Sequence, residues 1–363
     1  MKHKLSRFWK PLLAVIFWGA SFVATKIALG ELSPLLVILL RTFLGIIFIS
    51  TFAFFTKRDF KISFANLKHI SVLAVILICH LLIQVTGIKY TSATNTGWIV
   101  GVTPVFMALL GFIFFKEELS IPKITGIATA FAGLVLLISK GNLLSLDFIS
   151  HKGDFLVLIS AFTWGVYSMV NKKISISYSP MMTILFLFIM LEVILLPFAI
   201  NHDSIYSIIH LSAKGWIAVF FLGIFASGIS FVLWSKSLSE IEATKAGAFL
   251  YLEPFVTVFA AFIFLNETIT IITIVSGIII TAVIMLNMLY KPVNSIVGIG
   301  CLVYILVAFF INNIHPVLID RVLFFCVTLH CFINFPFDII PLSLIFLDIF
   351  QMKIFPAKTG AYE

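Results

Sequence analysis

Residues 92–115 read SATNTGWIVGVTPVFMALLGFIFF, without one charged side chain, and a helix of roughly 20 apolar residues is enough to cross the hydrocarbon of a bilayer. The same pattern returns at residues 243–265 as ATKAGAFLYLEPFVTVFAAFIFL. An offset of 150 places Ala93-Thr94 on Ala243-Thr244, Gly97 on Gly247, Pro104 on Pro254 and Glu117 on Glu267. Upstream, an offset of 146 places Trp18-Gly19 on Trp164-Gly165, Lys26 on Lys172 and Ser33-Pro34 on Ser179-Pro180. A repeat of this period predicts two copies of one membrane unit.

Composition agrees with a membrane setting. The 363 residues are 61% hydrophobic and 11% charged, with a mean hydropathy of +1.16, whereas soluble domains carry roughly 45–50% apolar and about 25% charged residues. A water-soluble enzyme is excluded. The net charge of +8 is carried largely between apolar runs, where Lys and Arg set topology and meet anionic headgroups, so nucleic acid is not an expected partner. Four cysteines, Cys79, Cys301, Cys326 and Cys331, lack CxxC spacing, and no zinc or disulfide framework is indicated. The basic segment Met1–Lys10 leads straight into an apolar run without a small-residue cleavage site, which reads as a retained first helix.

Apolar runs fall at 11–29, 34–55, 69–88, 92–115, 122–139, 154–171, 181–200, 215–235, 244–265 and 272–289. They are apolar all round and too long for barrel strands, so ten transmembrane helices are predicted. With the N-terminus inside, the inner connections hold Lys2, Lys4, Arg7, Lys10, Lys57, Arg58, Lys61, Lys68, Lys116, Lys123, Lys172, Lys173, Lys236 and Lys291, with Lys245 at the border. The outer ones hold Lys89, Lys140, Lys152 and Lys214. That bias predicts a multi-pass protein of the cell membrane (cytoplasmic or inner membrane) with both ends of the ten-helix body in the cytoplasm. Five helices per copy is an odd number, so the second copy enters from the opposite face. Two inverted repeats, residues 1–145 and 146–292, are the expectation, with alternating access as their natural mechanism.

The run Tyr90 to Asn95, continuing through Thr103-Pro104 to Lys116-Glu117-Glu118-Leu119-Ser120, resembles the fourth-helix signature of EamA-type carriers of the drug/metabolite transporter superfamily. Glu242 to Gly247, Leu252-Glu253-Pro254 and Leu265-Asn266-Glu267-Thr268 are similar to the matching ninth-helix signature, and the Trp-Gly pairs resemble the first and sixth helices. The resemblance covers about residues 11–290. It implies a ten-helix carrier with a central cavity, exporting amino acids, other metabolites or drugs.

Ionisable and amide groups inside spans are costly, so each needs a reason. Glu253 is expected near the middle of the ninth helix, beside a kink made by Pro254, and its carboxylate suits a cationic group or a proton. His80 and Gln84 share one face of the third helix, and His80 is a candidate proton carrier or a packing residue. Asn95 and Trp98 match the polar end and apolar body of a solute, or a helix cap and an interfacial anchor. Trp18 and Trp164 occupy equivalent places, followed on the second copy by Tyr167 and Asn171, and supply rigid walls for a cavity or plain packing. Trp234 and Tyr251 are further aromatic candidates. Arg41 and Glu192 lie at matching depths, suggesting an ion pair. Lys26 and Lys172 are read as snorkelling to headgroups, and Glu117, Glu118 and Glu267 as capping the helices that follow them.

No HExxH, GxxxxGK[ST], GxSxG or Asp-rich metal run occurs, so no cofactor or metal is expected, and a solute or ion gradient, protons included, must supply energy. The expected partners are a small organic solute and the lipid bilayer. The competing classes are a membrane-embedded enzyme acting on lipid or lipid-linked substrate, which needs clustered acidic or His residues at one interface, and a non-transporting membrane protein. Residues 293–363 form a hydrophobic tail outside both repeats, and no function is assigned to it.

Overall fold

A computed structural model of the chain describes residues 8–58, 60, 64–117, 124, 152–174, 179–199 and 201–266. The expected spans 122–139 and 272–289, Glu118, Glu267 and the tail 293–363 lie outside the described residues. The described ones are helical throughout, without strands. Helices α1 (Trp9–Ala28), α2 (Pro34–Phe55) and α3 (Phe64–Tyr90) are followed by a broken span of α4 (Ala93–Val100) and α5 (Thr103–Phe115). Then come α6 (Lys152–Lys173), α7 (Pro180–Ala199) and a short α8 (His202–Ile209). The next span joins α9 (Ala213–Phe221), a π-helical stretch (Leu222–Ile229) and α10 (Ser230–Glu240). The last joins α11 (Ala243–Ala248), a 3₁₀ turn (Phe249–Leu252) and α12 (Glu253–Leu265).

Among the described residues, eight helical stretches are long and apolar enough to cross a membrane, and they match eight of the expected runs within a few residues at either end. Their starts follow local chemistry: Ser33, Ser92 and Ser212 each accept a hydrogen bond from the backbone N–H three residues on, and Pro34 occupies the first turn of α2. Helix α8 was not expected. Asn201 caps it, and Ile205, Tyr206 and Ile209 stand exposed, the amphipathic pattern of a helix lying along an interface. Outward faces elsewhere carry Phe43, Phe52, Val193, Phe198, Phe259 and Phe262, apolar groups suited to lipid.

Close packing depends on small residues at matching places in the two halves. A methyl group on Gly19 would meet Val256 Cβ at 2.7 Å and the Glu253 carbonyl at 2.9 Å, and one on Gly165 would meet Leu110 at 3.3 Å and Phe106 at 3.4 Å. Likewise Gly97 faces Thr257 and Gly247 faces Met107. Val256 and Phe106 are 150 residues apart, as are Thr257 and Met107. So are Lys116 and Asn266, which end α5 and α12 in the left-handed region at φ 52° and 56°.

The two spans with Trp-Gly run in opposite directions, as the ties at their ends show. At one end, Lys10 near the start of α1 pairs with Glu240 at the end of α10, and Lys172 near the end of α6 pairs with Glu117 at 3.1 Å. At the other, Lys26 near the end of α1 donates to the carbonyls of Ile88 (2.9 Å) and Thr91 (2.5 Å), while Thr91 donates to Asp154 in the first turn of α6. Lys172 also donates to the Ile241 carbonyl at 3.1 Å, the counterpart of the Lys26–Thr91 bond. Both lysines therefore turn into the protein instead of reaching for headgroups, because unpaired carbonyls at helix ends are nearer.

Glu117 also departs from expectation. It accepts from the backbone N–H of Ala243 (2.9 Å) and Thr244 (3.2 Å) and from the Thr244 hydroxyl (2.5 Å), capping α11 from the other half of the chain. The left-handed turn at Lys116 swings the side chain across to those free N–H groups. Burial pushes its carboxyl up. The Thr244 hydroxyl, the Ala243 N–H, Lys172 and the Thr244 N–H outweigh that and hold it below the ordinary 4.5.

Replacing Gly19 with Ala should cost about 1–3 kcal/mol of stability through overpacking against α12, seen as a lower thermal midpoint in detergent; an unchanged midpoint would mean that the helices stand further apart. Because the Glu117 carboxyl is lowered on folding, its stabilisation is complete above about pH 4.5 and fades as pH falls through the lowered value. Glu117→Gln should therefore be less stable than wild type by about 1–2 kcal/mol at neutral pH, with the difference closing in acid; a gap independent of pH contradicts the charged cap.

Candidate functional site

A cavity lies where the middles of the spans meet, lined by Trp18, Arg41, His80, Gln84, Trp164 and Glu253 together with Ser21, Phe22, Leu81, Val100, Ala161 and Phe231. Its volume is ≈ 30 Å³, room for about two water molecules and too little for a metabolite. Five of the ten expected site residues therefore converge: Trp18, His80, Gln84, Trp164 and Glu253. They come from four spans, and no single stretch of sequence holds more than two of them.

Aromatic rings close the space. Trp18 and Trp164, equivalent in the two copies, meet edge to face with centroids 4.8 Å apart. Phe231 and Trp234 of α10 pack on Trp18 at 5.6 and 5.3 Å. The π-helical stretch locks this cluster: in that wider turn the Ala226 carbonyl accepts from Trp18 Nε1 at 2.9 Å, and the Ser227 hydroxyl accepts from Arg41 Nε at 2.9 Å. Trp234 Nε1 donates to Ser168 at 3.1 Å.

His80 is oriented from α6. Its Nδ1 lies 3.1 Å from both the Ser160 carbonyl and the Thr163 hydroxyl. Thr163 spends its own proton on the Ser160 carbonyl at 2.9 Å, so the proton between His80 and these two oxygens belongs to Nδ1, leaving Nε2 as an acceptor. The ring packs on Trp164 at 5.1 Å.

Glu253 was expected beside a kink in a continuous helix. Instead the ninth span breaks through the 3₁₀ turn, and Glu253 is the first residue of α12, with Pro254 in the first turn, where a missing N–H costs nothing. Only 2% exposed, it has an Oε2 without a hydrogen-bond partner among the described residues. The fourth span breaks in the same register, before Thr103-Pro104.

The expected Arg41–Glu192 ion pair does not form. Glu192 accepts from the neighbouring Thr42 at 2.6 Å, while Arg41, about 100° further round the helix, reaches the cavity. Asn95, Trp98, Tyr167, Asn171 and Tyr251 are not among the cavity's lining residues. Asn95 donates to Asp154 at 3.4 Å at one end of the bundle, and Trp98 packs on Phe255 and Val258. Tyr167 stacks on the far side of the aromatic cluster, 5.1 Å from Trp164, and its hydroxyl, the Tyr251 hydroxyl and Asn171 Nδ2 lack partners among the described residues. Sequence reading missed Arg41, Ser21 and Phe231 as lining residues and Ser227 as a positioning one. The available signal was Arg41 itself, an ion in a span. Among the described residues, no three His, Cys, Asp or Glu side chains converge as metal ligands.

Known proteins resemble this chain in sequence and fold. The profile of the EamA-like transporter family matches residues 9–139 and 151–289. An uncharacterized transporter of Archaeoglobus fulgidus is 31% identical over 74% of this chain and 93% of its own length. A protein of Salmonella typhimurium named a probable amino-acid metabolite efflux pump is 27% identical over 76% of this chain and 92% of its own. One solved crystal structure has a TM-score of 0.59 at 16% identity, covering 77% of this chain and 95% of that one, and so shares the fold. Eight apolar spans, a polar cavity among them and a family profile matched twice along the sequence lead to one conclusion: this multi-pass membrane protein belongs to the EamA-like transporter family.

Proposed function

We propose that the chain is a secondary carrier, and not an enzyme, that moves small organic metabolites outward across the cytoplasmic membrane by alternating access. Amino acids, related compounds and drugs are the solute class. The observation that carries this reading is the cavity itself: charged and polar side chains from several spans surround a space at the middle of the bundle, where such groups are expensive without a task. Its body would be ten helices in two inverted repeats, residues 1–145 and 146–292, with the N-terminus in the cytoplasm. Support comes from the paired contacts Gly19–Val256 and Gly165–Phe106, from the opposed directions of α1 and α6, and from the basic bias of the inner connections. The Salmonella relative, named a probable amino-acid metabolite efflux pump, supports amino-acid metabolites and efflux.

The ≈ 30 Å³ space, with ties at both ends, fits an occluded form that must open to admit a solute. The helix breaks at Gly101–Val102 and Phe249–Leu252 provide places for such bending. Proton coupling, if the gradient is one of protons, would run through His80 and Glu253. The remaining candidates, Asn95, Trp98, Tyr167, Asn171 and Tyr251, would take part only in conformations that open the cavity toward them.

In proteoliposomes, counterflow of labelled amino acids should show an overshoot, which only a carrier produces; a flat time course across a panel of amino acids, related metabolites and drugs would overturn the reading. Single cysteines at Gly30 and Tyr178 in a cysteine-free background should react with impermeant reagent from opposite faces, Gly30 from outside. Labelling from the same face would break the inverted repeat.

A further inference from the structure

Two ionisable side chains of opposite kind share the cavity wall without pairing. Arg41 is 4% exposed and Glu253 2%, and both line the cavity. Among the described residues, Arg41 makes no ion pair and donates through Nε to the Ser227 hydroxyl. That leaves the two terminal nitrogens of the guanidinium, a planar fork suited to a carboxylate. Glu253 likewise keeps Oε2 unpartnered among the described residues. Placing each ion inside a membrane span costs several kcal/mol, and a direct pair would have reduced both costs. Arg41 instead donates to Ser227 of the π-helical stretch, while Glu253 stands at the start of α12.

We propose that the two residues form a two-point clamp for a zwitterion: Arg41 receives the carboxylate and Glu253 the ammonium group of an α-amino acid. A simple acid would satisfy Arg41 and leave Glu253 buried and uncompensated, and a simple amine would do the reverse. A zwitterion satisfies both and adds no net charge to the site. The rest of the lining defines the side chain. Trp18, Phe22, Leu81, Val100, Trp164 and Phe231 form an apolar wall with no further carboxylate or ammonium, so the solute carries an uncharged, largely apolar side chain. His80 Nε2 and Gln84 add hydrogen-bonding groups at the polar side.

This assignment rests on the carrier reading and is tested separately from it. Full-length protein in proteoliposomes is assayed by counterflow at about pH 6.5, where an α-amine is protonated, with labelled L-leucine, L-leucinamide and 2-hydroxy-4-methylpentanoate. Leucine should move faster than either analogue by about thirtyfold or more, the loss expected when one buried charge is left without its partner. Arg41→Gln should lose leucine transport by a similar factor while leucinamide transport is retained or improved. Glu253→Gln should lose leucine and leucinamide but retain the hydroxy acid. If a variant fails to fold, competition by the unlabelled analogues against leucine in wild type carries the test.

Equal transport of leucine and leucinamide overturns the Arg41 assignment, and equal transport of leucine and the hydroxy acid overturns that of Glu253. Variants that lose all three probes in proportion show a structural role and overturn the clamp. Transport of another organic solute without any amino acid overturns the clamp and leaves the carrier standing, whereas no counterflow of any solute removes both.

Discussion

Hydrocarbon offers no hydrogen-bond partner, so every polar group that enters it must find one inside the protein. The backbone meets this demand by coiling, which is why the described chain is helical. Where the coil is interrupted, the structure shows how the loose ends are tied. The 3₁₀ turn before Glu253 places Pro254 where no N–H is required, and Glu117 reaches across from the other half to cap α11. The π-helical stretch frees the Ala226 carbonyl, and Trp18 takes it up. Two of these exceptions, the 3₁₀ turn and the π-helical stretch, thus also place residues of the cavity wall.

The same demand governs side chains. Most buried polar groups in the spans have partners: Thr42 with Glu192, Trp234 with Ser168, His80 with Ser160. Of the exceptions, Glu253 with an unpartnered oxygen lines the cavity, as does Arg41, whose guanidinium bonds Ser227 through Nε. An unfilled requirement in low dielectric is costly, and these two, unlike the unpartnered Tyr167, Tyr251 and Asn171 groups, line the cavity. The tryptophan pair packs edge to face beside them and walls the cavity with apolar surface.

Much of the body was legible in the linear pattern. Eight of the expected runs appear as spans because length and apolarity alone decide whether a helix crosses a bilayer. The serine caps and the proline positions follow from chemistry within three residues. Trp18, His80, Gln84, Trp164 and Glu253 drew notice in the sequence because ionisable, amide and tryptophan side chains are few in these spans, and the structure places all five around one cavity. Asn95 and Trp98 looked equally suitable, but their direction depends on how α4 is rotated, and that is set by packing against α6 and α12. Arg41 was noticed yet assigned to Glu192, since matching depth says nothing about angle around the helix. Helix α8 escaped notice because eight residues with mixed polarity carry no spanning signal.

The sequence by itself determined that the chain lives in a membrane, where its apolar runs begin and end, and that its halves repeat, because these properties are local or periodic. Only the tertiary structure decided which polar groups share a space. Glycine contacts such as Gly19 against Val256 set the distance between helices, and a rotation of one residue, about 100°, turned Arg41 inward and left Thr42 to meet Glu192. Facing is a property of packed neighbours, and no neighbour more than a few residues away is visible along the chain.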